Sequence, residues 1–118
     1  MFGLRRIESI APRHASDRFF TGEIVIVDVR TPSEYAHVRV PGAIHIPLLE
    51  LRARVGELRA DRPLAFLCAS SHRSVLAARR AAKQRADVLN VAGGMNAWLA
   101  AGLPAARCPV SRPTRSTR

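Results

Sequence analysis

Short apolar runs separated by amphipathic segments recur along the chain. The clearest run, EIVIVDVR at residues 23–30, is rich in β-branched side chains, and LAFLC at residues 64–68 and DVLNV at residues 87–91 have the same character. Apolar residues that continue without polar alternation are typical of strands buried on both faces in a parallel sheet. Residues 5–8 and the segment between Pro-Gly at 41–42 and Pro47 predict two further short strands.

Helical patterns occupy the segments between these runs. Pro12 predicts the first turn of a helix through Phe20, because the N–H that proline lacks would be unpaired there. Thr31, Pro32 and Glu34 together form the signature of a capping box at the start of a second helix. Two further segments each predict a single helix, because their apolar residues recur on one helical face. These residues are Leu48, Leu51, Val55 and Leu58 in the first segment, and Val75, Ala78 and Ala82 in the segment after Cys68.

The alternation of strands and helices predicts an α/β fold in which helices cover both faces of a parallel sheet. A chain of 118 residues suffices for one domain with a substantial core. We expect that domain to span residues 1–104, since a last helix ends at Gly102 and Pro104 follows. Residues 105–118 are polar, arginine-rich and interrupted by proline, which predicts a basic, disordered tail.

The charge adds a possible partner without identifying it. The formal net charge is +10, and residues 107–118 carry four arginines and no acidic residue, so residues 1–106 carry +6. A solvated basic surface and the attraction of anionic substrates or nucleic acid both remain open. No aromatic residue lies between the tail arginines, so we expect no nucleic acid, and the tail stays a candidate for binding a protein partner.

The remaining composition limits the location and the chemistry. No apolar run approaches the roughly 20 residues of a membrane span, and the N-terminus has no apolar signal segment, so we predict a cytoplasmic protein and no membrane partner. The two cysteines, Cys68 and Cys108, do not make a disulfide framework and suit a reducing compartment. We expect no metal and no cofactor, because zinc-ligand spacing is missing from the scattered histidines, which are His14, His37, His45 and His72.

The candidate chemistry is centred on Cys68, which comes at the end of a buried run and before a helix. A helix N-terminus favours the thiolate form of cysteine. The successive N–H groups of residues 69–73 can curl into a nest that binds one anion. His72 and Arg73 add positive potential, Arg73 can pair bidentately with an oxyanion, and Ser74 can bond to the sulfur. A buried, inert cysteine before an ordinary turn remains the alternative.

Other polar or glycine residues also follow predicted strands. Asp28, Arg30, Cys68 and Gly93 lie at or just beyond strand C-termini, where ligands bind in parallel sheets. We interpret Asp28 and Arg30 as a supporting shell that holds the cysteine loop by hydrogen bonds and ion pairing.

Four segments carry a resemblance to a known family. IVDVRTPSEY, PGAIHIP, CASSHRS and AGGMNAW occur in this order and are followed by GLP. Together they resemble the rhodanese (sulfurtransferase) family over roughly residues 5–104. The resemblance implies a parallel five-stranded sheet with helices on both faces and Cys68 as the catalytic residue. It also implies a loop that binds the anionic substrate, made of Ala69, Ser70, Ser71, His72 and Arg73 and extended by Ser74.

This resemblance implies a sulfurtransferase that uses a Cys68 persulfide. The Cys68 thiolate would take the sulfane sulfur of thiosulfate or a persulfide donor and pass it to cyanide or a thiol. Related phosphatases have one more residue than the four between Cys68 and Arg73, which disfavours phosphatase or arsenate reductase activity. A catalytically weak sulfur carrier or protein-binding module is the alternative function.

The chain departs from the family pattern at two places near the site. Val38, Arg39 and Val40 stand where Gly-His-Ile is usual, and Ser71 stands where active members often have glycine. We expect the serine to demand a different path of the loop backbone. Cys108 lies outside the matched segments, as an unpaired tail thiol or as a thiol that resolves the persulfide.

Overall fold

A computed structural model of the protein describes residues 6–58, 61–84 and 87–107. The elements are β1 (Glu8–Ile10), α1 (Pro12–Phe20), β2 (Val25–Asp28), α2 (Pro32–His37), β3 (Val38–Arg39), β4 (Ile44–His45), α3 (Leu51–Arg54), β5 (Leu64–Leu67), α4 (His72–Ala82), β6 (Val88–Val91), α5 (Gly94–Ala100) and β7 (Ala106–Arg107). The central sheet has five parallel strands in the order β1-β6-β5-β2-β4, and β3 and β7 form a separate antiparallel pair.

The two central strands explain why the sheet is covered on both faces. All four residues of β2 and all four of β5 are buried, as continuous apolar runs predict. Successive side chains point to opposite faces, so Val27 and Phe66 join one core cluster with α3 and α4. Ile26 and Ala65 join the other cluster with α1 and α5. The predicted parallel five-stranded sheet with helices on both faces is confirmed.

Two helical predictions are wrong in detail. The single helix expected over residues 48–58 is a succession of a 3₁₀ turn, α3 and a second 3₁₀ turn, in a segment that contains the poor helix former Gly56. The buried residues of α4 are Ser74, Ala77, Ala78 and Ala81, and Ala82 is partly buried against the same core cluster. Ala78 and Ala82 of the predicted face are therefore correct, whereas Val75 is only half-buried. The apolar pattern does not reveal the rest of the face, because it includes a polar residue, Ser74, which is completely buried.

The two ends of the chain also differ from the sequence expectations. β1 begins at Glu8 and forms the edge of the sheet beside β6, so the edge strand lies further along the chain than residues 5–8. The Trp98 indole N–H donates to the Pro104 carbonyl at 2.8 Å, and the next residues form β7 beside β3. Ala106 and Arg107 are therefore a strand where the sequence places the tail. The rest of that tail, with Cys108, lies outside the described residues.

No helix within the described ranges is both long and apolar enough to cross a lipid bilayer.

Candidate active site

Cys68 follows β5 directly and its side chain is buried, with 1% of the residue exposed. β5 lies between β2 and β6, so the carboxyl ends of three parallel strands meet around this cysteine. The backbone N–H of Ser71 donates to Cys68 Sγ at 3.0 Å. The loop of residues 69–71 therefore turns back on the sulfur before α4 begins at His72.

The surroundings of Cys68 favour its thiolate. Burial raises the pKa of the Cys68 thiol, but the hydrogen bond with the Ser74 side chain and those from the backbone N–H groups of Ser74, Ser70 and Ser71 lower it. The hydrogen bonds outweigh burial, so the pKa lies below the ordinary value for a cysteine. Several hydrogen-bond donors thus converge on this sulfur, and such donors lower the pKa of a cysteine.

The carbonyl groups of the loop are held away from the sulfur by α5. The N–H of Met95 donates to the Cys68 carbonyl at 2.7 Å, and the N–H of Asn96 donates to the Ala69 carbonyl at 3.1 Å. These N–H groups belong to the first turn of a helix, where they have no partner within the helix. The first turn of α5 thereby fixes the loop in the orientation that directs its own N–H groups towards Cys68.

A buried polar chain continues from the sulfur into the sheet. Cys68 Sγ lies 3.3 Å from Ser74 Oγ, and the Ser74 hydroxyl donates to Asn90 Oδ1 at 2.5 Å. When Cys68 ionises, the Ser74 hydroxyl can turn its hydrogen from Asn90 towards the sulfur. Sequence reasoning did not identify Asn90, although a polar residue within the buried run DVLNV is an available signal.

Arg73 is bound to Glu34 rather than turned towards the sulfur. Its guanidinium forms a bidentate pair with the Glu34 carboxylate, with N–O distances of 2.7 and 3.0 Å. Hydrogen bonds from Arg73 lower the pKa of Glu34 to about 2, with help from Thr31 and against the effect of partial burial. The predicted capping box is confirmed, and the same carboxylate therefore joins α2 to the cysteine loop.

Asp28 and Arg30 form a buried ion pair beside this connection. Arg30 Nη2 lies 2.7 Å from Asp28 Oδ2 and 2.6 Å from the Val38 carbonyl, and Nη1 contacts the Glu34 carbonyl at 3.4 Å. Within the described residues, neither side chain bonds to the loop of residues 69–73. The pair supports α2 and β3, so its connection to the loop is indirect and runs through Glu34.

The last two residues of the loop, His72 and Arg73, lie in different surroundings. His72 is exposed, and its Nδ1 lies 3.3 Å from Ser70 Oγ. A cavity of about 410 Å³ opens beside the loop, with Arg73 on one wall and mainly apolar residues such as Pro32, Pro47 and Leu48 on the others. Leu49 also lines this cavity and is 95% exposed, which makes it the most exposed large apolar residue of the described chain.

The Arg73–Glu34 pair predicts a specific loss of stability in acid. The pKa of Glu34 in the folded protein, about 2, lies below its ordinary value of 4.5, so the pair contributes fully above pH 4.5 and loses its contribution as the pH falls towards 2. About a third of each side chain is exposed, and solvent screening limits the effect to about 1 kcal/mol. We expect the free energy of unfolding of Glu34→Gln to fall less steeply with acid than that of the wild type.

The matched control is Glu57→Gln, since Glu57 pairs with Arg54 on an exposed turn away from the cysteine. Denaturant unfolding from neutral pH to acid should give the wild-type slope for this control. An equal acid loss in the wild type and in Glu34→Gln would contradict the assignment of the pair.

Comparisons with known proteins agree on the family. The sequence matches the rhodanese-like domain over residues 11–101. A sulfurtransferase of Allochromatium vinosum is 36% identical over 82% of this chain and 88% of its own length. The putative sulfur carrier protein YrkF of Bacillus subtilis is 42% identical over 62% of this chain and 40% of its own length. The crystal structure of a rhodanese-related protein from Thermoplasma volcanium has a TM-score of 0.78 and 27% identity, over 84% of this chain and 97% of that one.

Proposed function

The chain belongs to the rhodanese-like domain family, and on this premise we propose that it transfers a sulfane sulfur through a persulfide on Cys68. The donor is thiosulfate or a persulfide, and the acceptor is cyanide or a thiol. The observation that carries the proposal is the buried Cys68 sulfur, which receives the Ser71 N–H at 3.0 Å within a loop whose donors lower the thiol pKa.

Each step of the proposed reaction balances without a cofactor. The Cys68 thiolate attacks the outer sulfur of thiosulfate, a new S–S bond forms on Cys68, and sulfite leaves with the electron pair of the broken bond. An acceptor then attacks the outer sulfur of the persulfide, and the Cys68 thiolate leaves with the second pair. The loop N–H groups that stabilise the thiolate are placed to stabilise the persulfide anion as well, without reorganisation.

Two features of the loop favour sulfur over phosphate as the group transferred. Only four residues separate Cys68 from Arg73, one fewer than in the related phosphatases. The ring of backbone N–H groups is therefore smaller than the one that surrounds a tetrahedral phosphate. The Arg73 guanidinium is also engaged by Glu34, so it does not complete such a ring.

Intact-mass spectrometry tests the proposed function directly. After incubation with thiosulfate we expect the protein to gain the mass of one sulfur atom, and cyanide should remove it with formation of an equal amount of thiocyanate. If neither thiosulfate nor a low-molecular-weight persulfide adds sulfur to the protein, the proposal is overturned.

The engagement of Arg73 by Glu34 also favours a second candidate, a sulfur carrier. With this guanidinium occupied, the loop offers less positive charge to the sulfonate of thiosulfate. A carrier would become loaded from a persulfide and would not turn over with thiosulfate and cyanide. Multiple-turnover formation of thiocyanate therefore separates the enzyme from the carrier.

The cavity beside Arg73 is the proposed entrance for apolar thiol acceptors. Exposed Leu49 lines it, and replacing this leucine by serine removes apolar surface without creating a buried void. We expect Leu49→Ser to raise the KM for a hydrophobic thiol about fivefold, since partial burial of a leucine is worth about 1 kcal/mol. Steady-state kinetics with an apolar thiol and with cyanide provide the measurement.

Cyanide is the internal control for Leu49→Ser, because this small anion has no apolar surface to bury. An equal change in the KM for both acceptors would show that the substitution disturbs the loop rather than the entrance. Phe20, another exposed apolar residue, lies on α1 and gives the matched surface variant, Phe20→Ser.

A further inference from the structure

Ser71 has a backbone conformation that is unusual for its residue type. Its φ is 90°, and it is the only residue other than glycine with a positive φ among those the structure describes. A side chain at a positive φ crowds the backbone, so this position favours glycine. Ser71 thus adopts the left-handed conformation in spite of its side chain.

The Ser71 hydroxyl connects this turn to the neighbouring strand and helix. Ser71 Oγ accepts the N–H of Gly93 at 2.8 Å and donates to the Val91 carbonyl at 3.4 Å. Asn90 Nδ2 lies 3.5 Å from the same oxygen. The loop after β5 is thereby attached to the turn between β6 and α5 by a side chain that glycine does not have.

The hydroxyl does not serve the usual purpose of a serine at the start of a helix. Ser71 is the N-cap residue of α4, yet its side chain accepts no N–H from that helix. The backbone carbonyl of Ser71 still accepts the N–H of Val75 at 3.1 Å. The side chain is therefore directed away from α4 and towards the turn after β6.

The same residue supplies a donor to the reactive sulfur. The Ser71 N–H donates to Cys68 Sγ at 3.0 Å, so any rotation of this turn moves the donor relative to the sulfur. We propose that Ser71 is a positioning residue, whose hydroxyl fastens the left-handed turn to Gly93 and thereby holds its N–H on Cys68. This role rests on the proposed function of Cys68 as the sulfur-accepting nucleophile.

Two substitutions test whether the hydroxyl positions the N–H or only offsets the strain of a serine at positive φ. Ser71→Ala removes the hydroxyl and keeps a side chain at positive φ, whereas Ser71→Gly removes both the hydroxyl and the crowding. We expect both variants to raise the apparent pKa of Cys68 and to slow persulfide formation from thiosulfate by about 3- to 10-fold, the effect of losing one hydrogen bond. Ser71→Gly should unfold at a higher temperature than Ser71→Ala.

The pKa is measured in the full-length chain from the pH dependence of alkylation by iodoacetamide, followed by peptide mass spectrometry at Cys68. Thr21→Ala is the control, since Thr21 bonds to carbonyl groups at the end of α1 and its loss should leave this pH profile unchanged. A wild-type pH profile and rate in Ser71→Gly would overturn the proposal, because the hydroxyl would then only offset the strain of serine.

Alkylation needs no sulfur donor, so the two proposals can fail separately. A raised pKa in both variants, together with a wild type that never gains sulfur, supports the positioning role and overturns the sulfur-transfer function. An unchanged pKa in Ser71→Gly, together with normal persulfide formation, overturns only the positioning role.

Discussion

Replacement of Cys68 by serine is expected to abolish both the gain of sulfur from thiosulfate and the production of thiocyanate. A serine hydroxyl does not ionise near neutral pH and forms no persulfide. The substitution leaves the surroundings satisfied, because the hydroxyl can donate to Ser74 Oγ as the thiol does, at a position 3.3 Å away. We therefore expect a folded protein with near-normal stability and no transfer above background, which thermal unfolding and a thiocyanate assay measure.

The second cysteine gives the matched control. The chain has two cysteines, so Cys68→Ser and Cys108→Ser together account for all of its thiols. Cys108→Ser should still gain one sulfur from thiosulfate. If Cys68→Ser still gained sulfur and Cys108→Ser did not, the nucleophile would be Cys108 and our proposal would be wrong.

The sheet could be predicted from the sequence because its strands are coded locally. β5 is a run of apolar side chains without alternation, β2 is such a run up to its last residue, Asp28, and the structure buries every residue of both. The capping box of α2 is equally local, since Thr31 and Glu34 are three residues apart and bond reciprocally. The helix predicted over residues 48–58 failed for a related reason, because the apolar spacing is satisfied by short helical turns as well as by one helix.

The contacts that shape the candidate site could not be predicted in the same way. Glu34 and Arg73 are 39 residues apart, and Ser71 and Gly93 are 22 residues apart, so no local period joins them. The sequence identified Glu34 as a cap and suggested an oxyanion as the partner of Arg73, whereas the structure pairs Arg73 with Glu34. These partners are decided by which strands lie side by side, and the order of strands is not encoded in any single segment.

The loop after Cys68 is therefore held from two directions. Arg73 attaches its far end to α2 through Glu34, and the turn between β6 and α5 holds its near end. At this second contact the two backbones approach so closely that a side chain has no room. Gly94 meets the Cys68 carbonyl oxygen and the backbone of Ala69, and a Cβ built on it would overlap with both.

Gly94→Ala is accordingly expected to damage both the stability and the reactivity of the site. Gly94 has a φ of 59°, where alanine costs about 1 kcal/mol, and crowding against the loop should add about 1–3 kcal/mol. The crowded carbonyl is the one that accepts the Met95 N–H, so relief of the overlap moves Cys68 itself. We expect the rate of persulfide formation to fall about 100-fold, the order of loss for displacing a reacting group by about 1 Å.

Gly102→Ala separates the crowding from the backbone conformation. Gly102 has a φ of 71°, but a Cβ built on it meets no atom within 4 Å. This variant should therefore lose about 1 kcal/mol of stability and keep the wild-type rate and the wild-type alkylation profile of Cys68. If Gly94→Ala and Gly102→Ala lose equal stability and both keep the wild-type rate, the approach of α5 to the loop does not position Cys68. A rate that falls only in Gly94→Ala, under conditions where both variants are folded, would show that the first turn of α5 holds the sulfur in place through the Cys68 backbone.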